Sequence, residues 1–80
     1  MTLKEAIAHR ITALCEQRGY NPSSLAYLSG MDRSTIYSIL GEKSKSPEVA
    51  TIKKICDGLD MTLGQFFSAS EFDSLEQEIK

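Results

Sequence analysis

Near its middle the sequence contains a pair of short amphipathic runs separated by three residues. Residues 22–29 read PSSLAYLS and residues 33–40 read RSTIYSIL, with Gly30, Met31 and Asp32 between them. An isolated helix of about eight residues is unstable in water, so each run must be held by the rest of the chain. Glycine permits a sharp change of direction. The sequence therefore predicts two short helices that cross at an angle.

The flanking sequence is also helical in its periodicity. Apolar residues recur three or four apart in two further stripes, at Leu3, Ile7, Ile11, Leu14 and Cys15, and at Val49, Ile52, Ile55, Cys56 and Leu59. We expect both stripes to be buried. Alternation of apolar and polar residues is absent, and no Asn-Gly or Asp-Gly hairpin turn joins alternating segments. The pattern therefore predicts helices throughout and no strands.

Capping signals place the helix ends. Three pairs stand at capping-box spacing, which are Thr2 with Glu5, Thr62 with Gln65, and Ser68 with Glu71. The third pair predicts the start of a tail helix over EFDSLEQEI, residues 71–79.

The boundaries of the helix at 22–29 are marked on both sides. Gly19 is suited to end the preceding helix, Asn21 to cap the next one, and Pro22 to occupy its first position. Tyr20 and Leu25 stand at the spacing of a hydrophobic staple. Asp32 is the expected cap of the helix at 33–40.

These elements define the fold class and the domain organisation. The chain has 80 residues, which suits one small domain. We predict an all-α, compact five-helix domain over residues 1–67, with a helix-turn-helix at about 22–40. An acidic helical tail follows over residues 68–80 and forms a short sixth helix.

The residues that usually carry catalysis and metal binding are scarce. The chain has one histidine, His9, and two cysteines. Cys15 and Cys56 occupy apolar positions in the patterns of their predicted helices. Zinc needs about four clustered ligands, so no metal, cofactor or enzymatic activity is expected. The thiols are predicted to be buried in the protein core and to stay reduced, as in a protein of a reducing compartment. Helix packing could also bring the two cysteines together in a disulfide. No apolar run reaches the ~20 residues of a membrane span, so we expect a soluble, cytoplasmic protein.

The pair of short helices has an inward face and an outward face. The side chains predicted to point inward are Leu25, Ala26, Met31, Ile36 and Ile39, and those predicted to point outward are Arg33, Ser34, Tyr37 and Ser38. A projecting helix that carries small polar residues and an arginine can enter the major groove of DNA.

The sequence resembles the Cro and lambda-repressor-like helix-turn-helix family, also called the xenobiotic-response-element type. The resemblance extends from about the first helix to Phe67, and its residues are Leu25-Ala26, Ser29-Gly30-Met31, Arg33-Ser34-Thr35-Ile36, Pro47, Thr51-Ile52, Lys54-Ile55, Leu59, Met61-Thr62-Leu63 and Phe66-Phe67.

The resemblance implies a sequence-specific transcriptional regulator that binds double-stranded DNA and reads the major groove with the helix at about 33–40. The base-reading positions it implies are Arg33, Ser34 and Ser38, with Tyr37 alongside. It places Pro22 and Ser23 near a phosphate, and Lys43 and Lys45 near the DNA backbone.

The charge distribution is compatible with this function. The net charge is −2, which by itself disfavours a nucleic-acid partner. The tail from Ser68 carries four acidic residues and one basic residue, and the remainder has eight basic and seven acidic residues. Residues 33–54 contain five basic residues and two acidic ones, a local net charge of +3.

Other interpretations of the same residues remain open. Arg33 could be a solvated helix residue, and Tyr37 could cover apolar neighbours. The tail, with Phe72, Leu75 and Ile79, could cap the bundle, or it could dock on a protein partner, as in an antitoxin-type helix-turn-helix protein. One helix reads few base pairs, so we also expect a weak homodimer with contacts near Leu63 to Ile79.

Overall fold

The chain folds into six consecutive helices, as seen in a computed structural model that describes residues 1–41 and 46–79. The helices are α1 (Leu3–Arg18), α2 (Pro22–Ser29), α3 (Arg33–Leu40), α4 (Val49–Gly58), α5 (Leu63–Phe66) and α6 (Ser70–Asp73). No strand occurs within these two ranges. The predicted all-α class with a short sixth helix is confirmed.

The core lies where α2 packs against both α3 and α4, with α1 against α3. Its largest fully buried side chains come from all of the first five helices or the turns beside them, namely Ile11, Leu25, Ile36, Ile55, Cys56, Leu59 and Phe66. Ala26, which was predicted to point inward, is 3% exposed and therefore buried. Removal of this apolar surface from water is what stabilises helices too short to persist alone.

Local caps form at most of the predicted positions. Complete capping boxes join Thr2 with Glu5 and Thr62 with Gln65. The hydrogen bonds from the backbone and hydroxyl groups of Thr2 hold the pKa of the Glu5 carboxyl below its usual value. Ser68 forms no capping box with Glu71, because its hydroxyl donates to the carbonyl of Gln65 and Ala69 is the residue that precedes α6.

The two predicted apolar stripes are correct except at their first residues. Leu3 is 38% exposed and Val49 is 64% exposed. Each begins its helix and therefore extends beyond the partner helices that cover the later turns. Ala6, which the stripe of α1 did not include, is fully buried instead.

The tail is less helical than the sequence pattern predicts, because α6 covers only Ser70–Asp73. Phe72 from this helix packs against the bundle. Its ring centroid lies 5.0 Å from that of Phe67 and 6.0 Å from that of Phe66. Glu71 contacts Nδ1 of His9 on α1. These contacts anchor the tail at α6, and the chain beyond Asp73 is not helical in the part described.

Both cysteines are free and buried. Burial raises the pKa of the Cys15 and Cys56 thiols, since the thiolate is poorly solvated there. In the structure the two cysteines are therefore unpaired and do not form the disulfide that was the alternative. Within the two described ranges, no helix is long and apolar enough to cross a membrane.

Candidate nucleic-acid interface

The start of α2 is defined by local chemistry. The Asn21 side chain accepts hydrogen bonds from the backbone N–H of Ser24 at 2.8 Å and from its hydroxyl at 3.1 Å. Pro22 occupies the first turn, where its missing N–H is not needed. Tyr20 packs against the core that contains Leu25, and their direct contact in a staple stays a prediction. The N-terminal end of α2 is therefore held in one direction.

The turn between the short helices depends on Gly30. This residue is in the left-handed conformation, with φ of 66°, which a side chain would strain. The N–H of Met31 then donates to the carbonyl of Ala26 at 3.0 Å, closing the end of α2. Asp32 is the residue before α3, as predicted, but its side chain makes no capping hydrogen bond. The first turn of α3 is thus left without a side-chain acceptor from its own cap.

Helix α3 has both buried and exposed side chains. Ile36 and Ile39 are 1% and 6% exposed and anchor the helix in the core. Ser34 and Ser38 are exposed on the opposite side, and Arg33 is exposed at the start of the helix. Tyr37 is 54% exposed, so most of its ring does not cover apolar neighbours. The structure therefore brings the four side chains assigned to base reading onto one outward surface, which we call the α3 face.

The other four assigned residues are only partly placed. Pro22 and Ser23 are half-buried at the start of α2. A helix N-terminus carries a partial positive charge and favours anions, which suits the neighbourhood of a phosphate. Lys43 and Lys45 lie outside the described residues. Their contacts with a DNA backbone stay a prediction from sequence.

Hydroxyl groups extend the α3 face on one side. A cleft beside α3 is lined by Ser34, Thr35, Ser38, Ile39, Pro47 and Thr51. Thr35 and Thr51 were not predicted to belong to the site. Thr35 follows Ser34 directly and could have been suspected, whereas Thr51 comes from α4 and reaches the cleft through tertiary packing alone.

Tyr27 is a further exposed side chain that was not predicted from the sequence. It is 86% exposed on α2, although tyrosine usually hides much of its ring. Its position was readable in the sequence, because it falls out of phase with the buried residues Leu25 and Ser29.

Comparison with known proteins agrees with the geometry. Residues 10–71 match the Cro/C1-type HTH DNA-binding domain. The fold is similar to the crystal structure of the prophage Lp1 protein 11, with a TM-score of 0.82 and 25% identity over 94% of this chain and 99% of that one.

A second solved structure has the same fold. The wild-type restriction-modification controller protein C.Esp1396I superposes with a TM-score of 0.80 and 23% identity, covering 98% of this chain and 99% of its own. No curated protein matches the chain. The family match covers most of the sequence, and the chain therefore belongs to the Cro/C1-type helix-turn-helix family of DNA-binding transcription regulators.

Proposed function

We propose that this protein is a sequence-specific regulator that reads the major groove of DNA with α3. The observation that carries the proposal is the α3 face itself. Its polar side chains are exposed on a helix whose other side is anchored by Ile36 and Ile39. A helix held in this way can enter the groove without rearrangement, so little ordering free energy is lost on binding.

Arg33 is the strongest candidate for a base contact. It is the first residue of α3 and is exposed. Recognition helices contact base edges mainly through their N-terminal residues. A guanidinium group can donate two hydrogen bonds to O6 and N7 of guanine, which discriminates against the wrong base by about 1–3 kcal/mol.

Ser34 and Ser38 contact bases through shorter side chains on the same side of α3. A serine hydroxyl both donates and accepts, so it adapts to several bases and adds less discrimination than arginine. Tyr37 offers a half-exposed ring to a thymine methyl group and a phenol to a phosphate or base. The reading helix thus has one strong specificity element and several adaptable ones.

Contacts to the phosphate backbone supply the remaining affinity. We assign them to Pro22 and Ser23 at the start of α2, and to Lys43 and Lys45 after α3. The net charge of +3 over residues 33–54 supports this placement on an otherwise acidic protein. The acidic tail would repel phosphate, so the proposal places α6 away from the DNA.

The contacts of the tail favour the cap over the docking alternative. Phe72 completes a cluster with Phe66 and Phe67, and the side chain most needed for a protein partner is thereby engaged within the chain. The antitoxin-type function accordingly receives no support from the tail.

One protomer with a single arginine should discriminate poorly between sites, so we also propose a weak two-fold homodimer on a palindromic site. Burial changes the candidate surface: Phe66 is 0% exposed and cannot contact a partner. Leu63 and Phe67 are half-buried, and Ile79 is 89% exposed. The dimer surface would therefore use Leu63, the outer side of Phe67, and Ile79.

Two measurements test this function. Enrichment of bound duplexes from a random pool should return one motif, and its affinity should exceed that of a scrambled duplex by about 10³-fold or more at the same salt concentration. A pool without a shared motif would contradict sequence-specific reading.

Sedimentation of the protein with the enriched duplex should give two protomers per site at saturation. Ile79→Asp should weaken this assembly without disturbing the fold, because Ile79 is almost fully exposed. One protomer per site at saturation, or a dimer indifferent to Ile79→Asp, would contradict the proposed interface.

A further inference from the structure

Helix α3 ends differently from the two helices before it. α1 and α2 end at Gly19 and Gly30, both in the left-handed conformation, whose N–H groups bond carbonyls of the last turn. Gly41 after α3 is instead extended, with φ of −77° and ψ of 150°. An extended residue cannot form the glycine cap that satisfies the terminal carbonyls. The Gly41 N–H donates to the carbonyl of Ser38 at 3.2 Å, and the carbonyls that follow Ser38 need other donors.

Lys4 of α1 supplies them. Its Nζ donates to the carbonyl of Ile39 at 2.8 Å and also to the carbonyl of Gly41. The residues lie 35 and 37 positions apart in sequence, so the contact is purely tertiary. A cation is favourable at a helix C-terminus, where the helix dipole is negative. A lysine on α1 thus closes the end of α3.

The location of this contact matters for the proposed function. Ser38 and Ile39 belong to the last turn of α3, and Gly41 leads directly into the segment that contains Lys43 and Lys45. An eight-residue helix has little stability of its own, so its last turn depends on tertiary contacts. A donor at this end therefore controls the direction of α3 and the point from which the next segment leaves it.

We propose that Lys4 is a positioning residue for DNA recognition, which acts by tying the C-terminal end of α3 to α1. The inference rests on the proposed reading role of α3. Lys4 itself makes no specific contact with a base or phosphate in this mechanism, because its ammonium group is engaged by two carbonyl oxygens.

A parallel contact in the same protein supports this kind of role. Arg10, also on α1, donates from Nε to the carbonyl of Phe66 at 2.8 Å and from Nη2 to that of Gln65 at 2.9 Å. Two basic residues of α1 therefore donate to the terminal carbonyls of α3 and α5. The Arg10 geometry also demonstrates that a guanidinium group can bridge two terminal carbonyls, which makes Lys4→Arg a suitable conservative variant.

The binding test compares Lys4→Met and Lys4→Arg on the duplex enriched from a random pool and on a scrambled duplex of equal length. Lys4→Met should lose about tenfold in affinity for the enriched duplex, the equivalent of one charge-assisted hydrogen bond, with a much smaller loss on the scrambled duplex. Lys4→Arg should recover most of that loss. The slope of log affinity against log salt should not change.

Two results would overturn the proposal. Equal losses on both duplexes, with a slope reduced by about one unit, would make Lys4 a phosphate contact. Unchanged affinity of Lys4→Met, measured well below its unfolding temperature, would give Lys4 only a structural role.

Hydrogen exchange of the free protein separates the positioning role from the DNA-binding function. In Lys4→Met the amides of residues 38–41 should lose protection while the core of α4 keeps it, and Lys4→Arg should resemble the wild type. Arg10→Met is the matched control, since it should release the end of α5 and leave residues 38–41 protected. Unchanged protection at residues 38–41 in Lys4→Met would contradict the proposal whether or not the protein proves to read DNA sequence.

If Lys4→Met does not fold, the wild-type protein still provides a test. The ammonium hydrogens of Lys4, held by two carbonyls, should exchange with water more slowly by NMR than those of the exposed Lys54. Equally fast exchange would overturn the proposal.

Discussion

Gly58 of α4 lies so close to Ser29 of α2 that a Cβ atom built on Gly58 would stand 2.5 Å from the Ser29 Oγ atom. The same Cβ would be 3.1 Å from the carbonyl carbon and oxygen of Leu28. Ser29 Oγ is itself buried, and none of the described residues gives it a hydrogen-bond partner. The absence of a side chain at Gly58 is thus what allows α2, which directs α3, to approach α4 closely.

Gly58→Ala should lower the free energy of unfolding by about 1–3 kcal/mol, because overpacking must push α2 away from α4. Urea unfolding measures the change. Ser29→Ala alone should be neutral or slightly stabilising, since it removes an unsatisfied buried hydroxyl. In the Ser29→Ala background, Gly58→Ala should cost less, although the contact with Leu28 remains.

Gly64→Ala is the matched control for this effect. A Cβ at Gly64 would have as its nearest neighbour the Thr62 Oγ1 atom, at an ordinary 3.8 Å. This variant should gain about 0.5–1 kcal/mol from the reduced freedom of the unfolded chain. Similar effects at both glycines would show that backbone propensity, and not the approach of α2 to α4, governs Gly58.

Arg33→Ala should weaken binding to the enriched duplex by about 1–3 kcal/mol and relax the preference for one base in the motif. Binding to a scrambled duplex should fall much less. Arg18→Ala is a suitable control, because it removes the same charge from the end of α1, where Arg18 lines a cleft with Asp60 and Gln65. Equal losses on both duplexes would reassign Arg33 to a phosphate.

Lys45→Ala should behave in the opposite way. A phosphate contact carries no sequence information, so affinity should fall equally on the enriched and scrambled duplexes. The slope of log affinity against log salt should decrease in magnitude by about one unit. An unchanged slope would remove Lys45 from the interface.

The buried thiols predict how stability responds to alkali. The pKa values of Cys15 and Cys56 are raised in the folded protein by burial, so the unfolded chain releases these protons first as pH rises. The contribution of the protonated thiols to the free energy of unfolding is fully present below about pH 8.5, the ordinary pKa of a thiol. It is lost as the pH rises above that value. Urea unfolding from pH 7 to pH 10 should show a decline, and the decline should be shallower in a Cys15→Ala, Cys56→Ala double variant. Parallel declines in both proteins would exclude the thiols as its source.

The helices and most of their ends could be predicted from local sequence alone. Capping boxes at Thr2 and Thr62, and the glycine ends at Gly19 and Gly30, were predicted correctly because each involves groups within about five residues of one another. The outward positions of Ser34 and Ser38 were also predictable, since each is two residues from Ile36 and therefore lies on the far side of the helix. Local sequence is sufficient to predict these features because the groups that interact are close together in the chain.

Tertiary structure decided the features whose partners are distant in sequence. The glycine at position 58 suggests only a helix end until Ser29 is placed against it. The end of α3 lacks a left-handed glycine, and the donor to the carbonyls of Ile39 and Gly41 is Lys4 of α1, 35 and 37 residues away in sequence. Likewise α6 stops at Asp73, although the pattern predicts a longer helix. Packing between elements overrides or completes local preference at these places, because the contacts that stabilise them exist only once the helices have assembled.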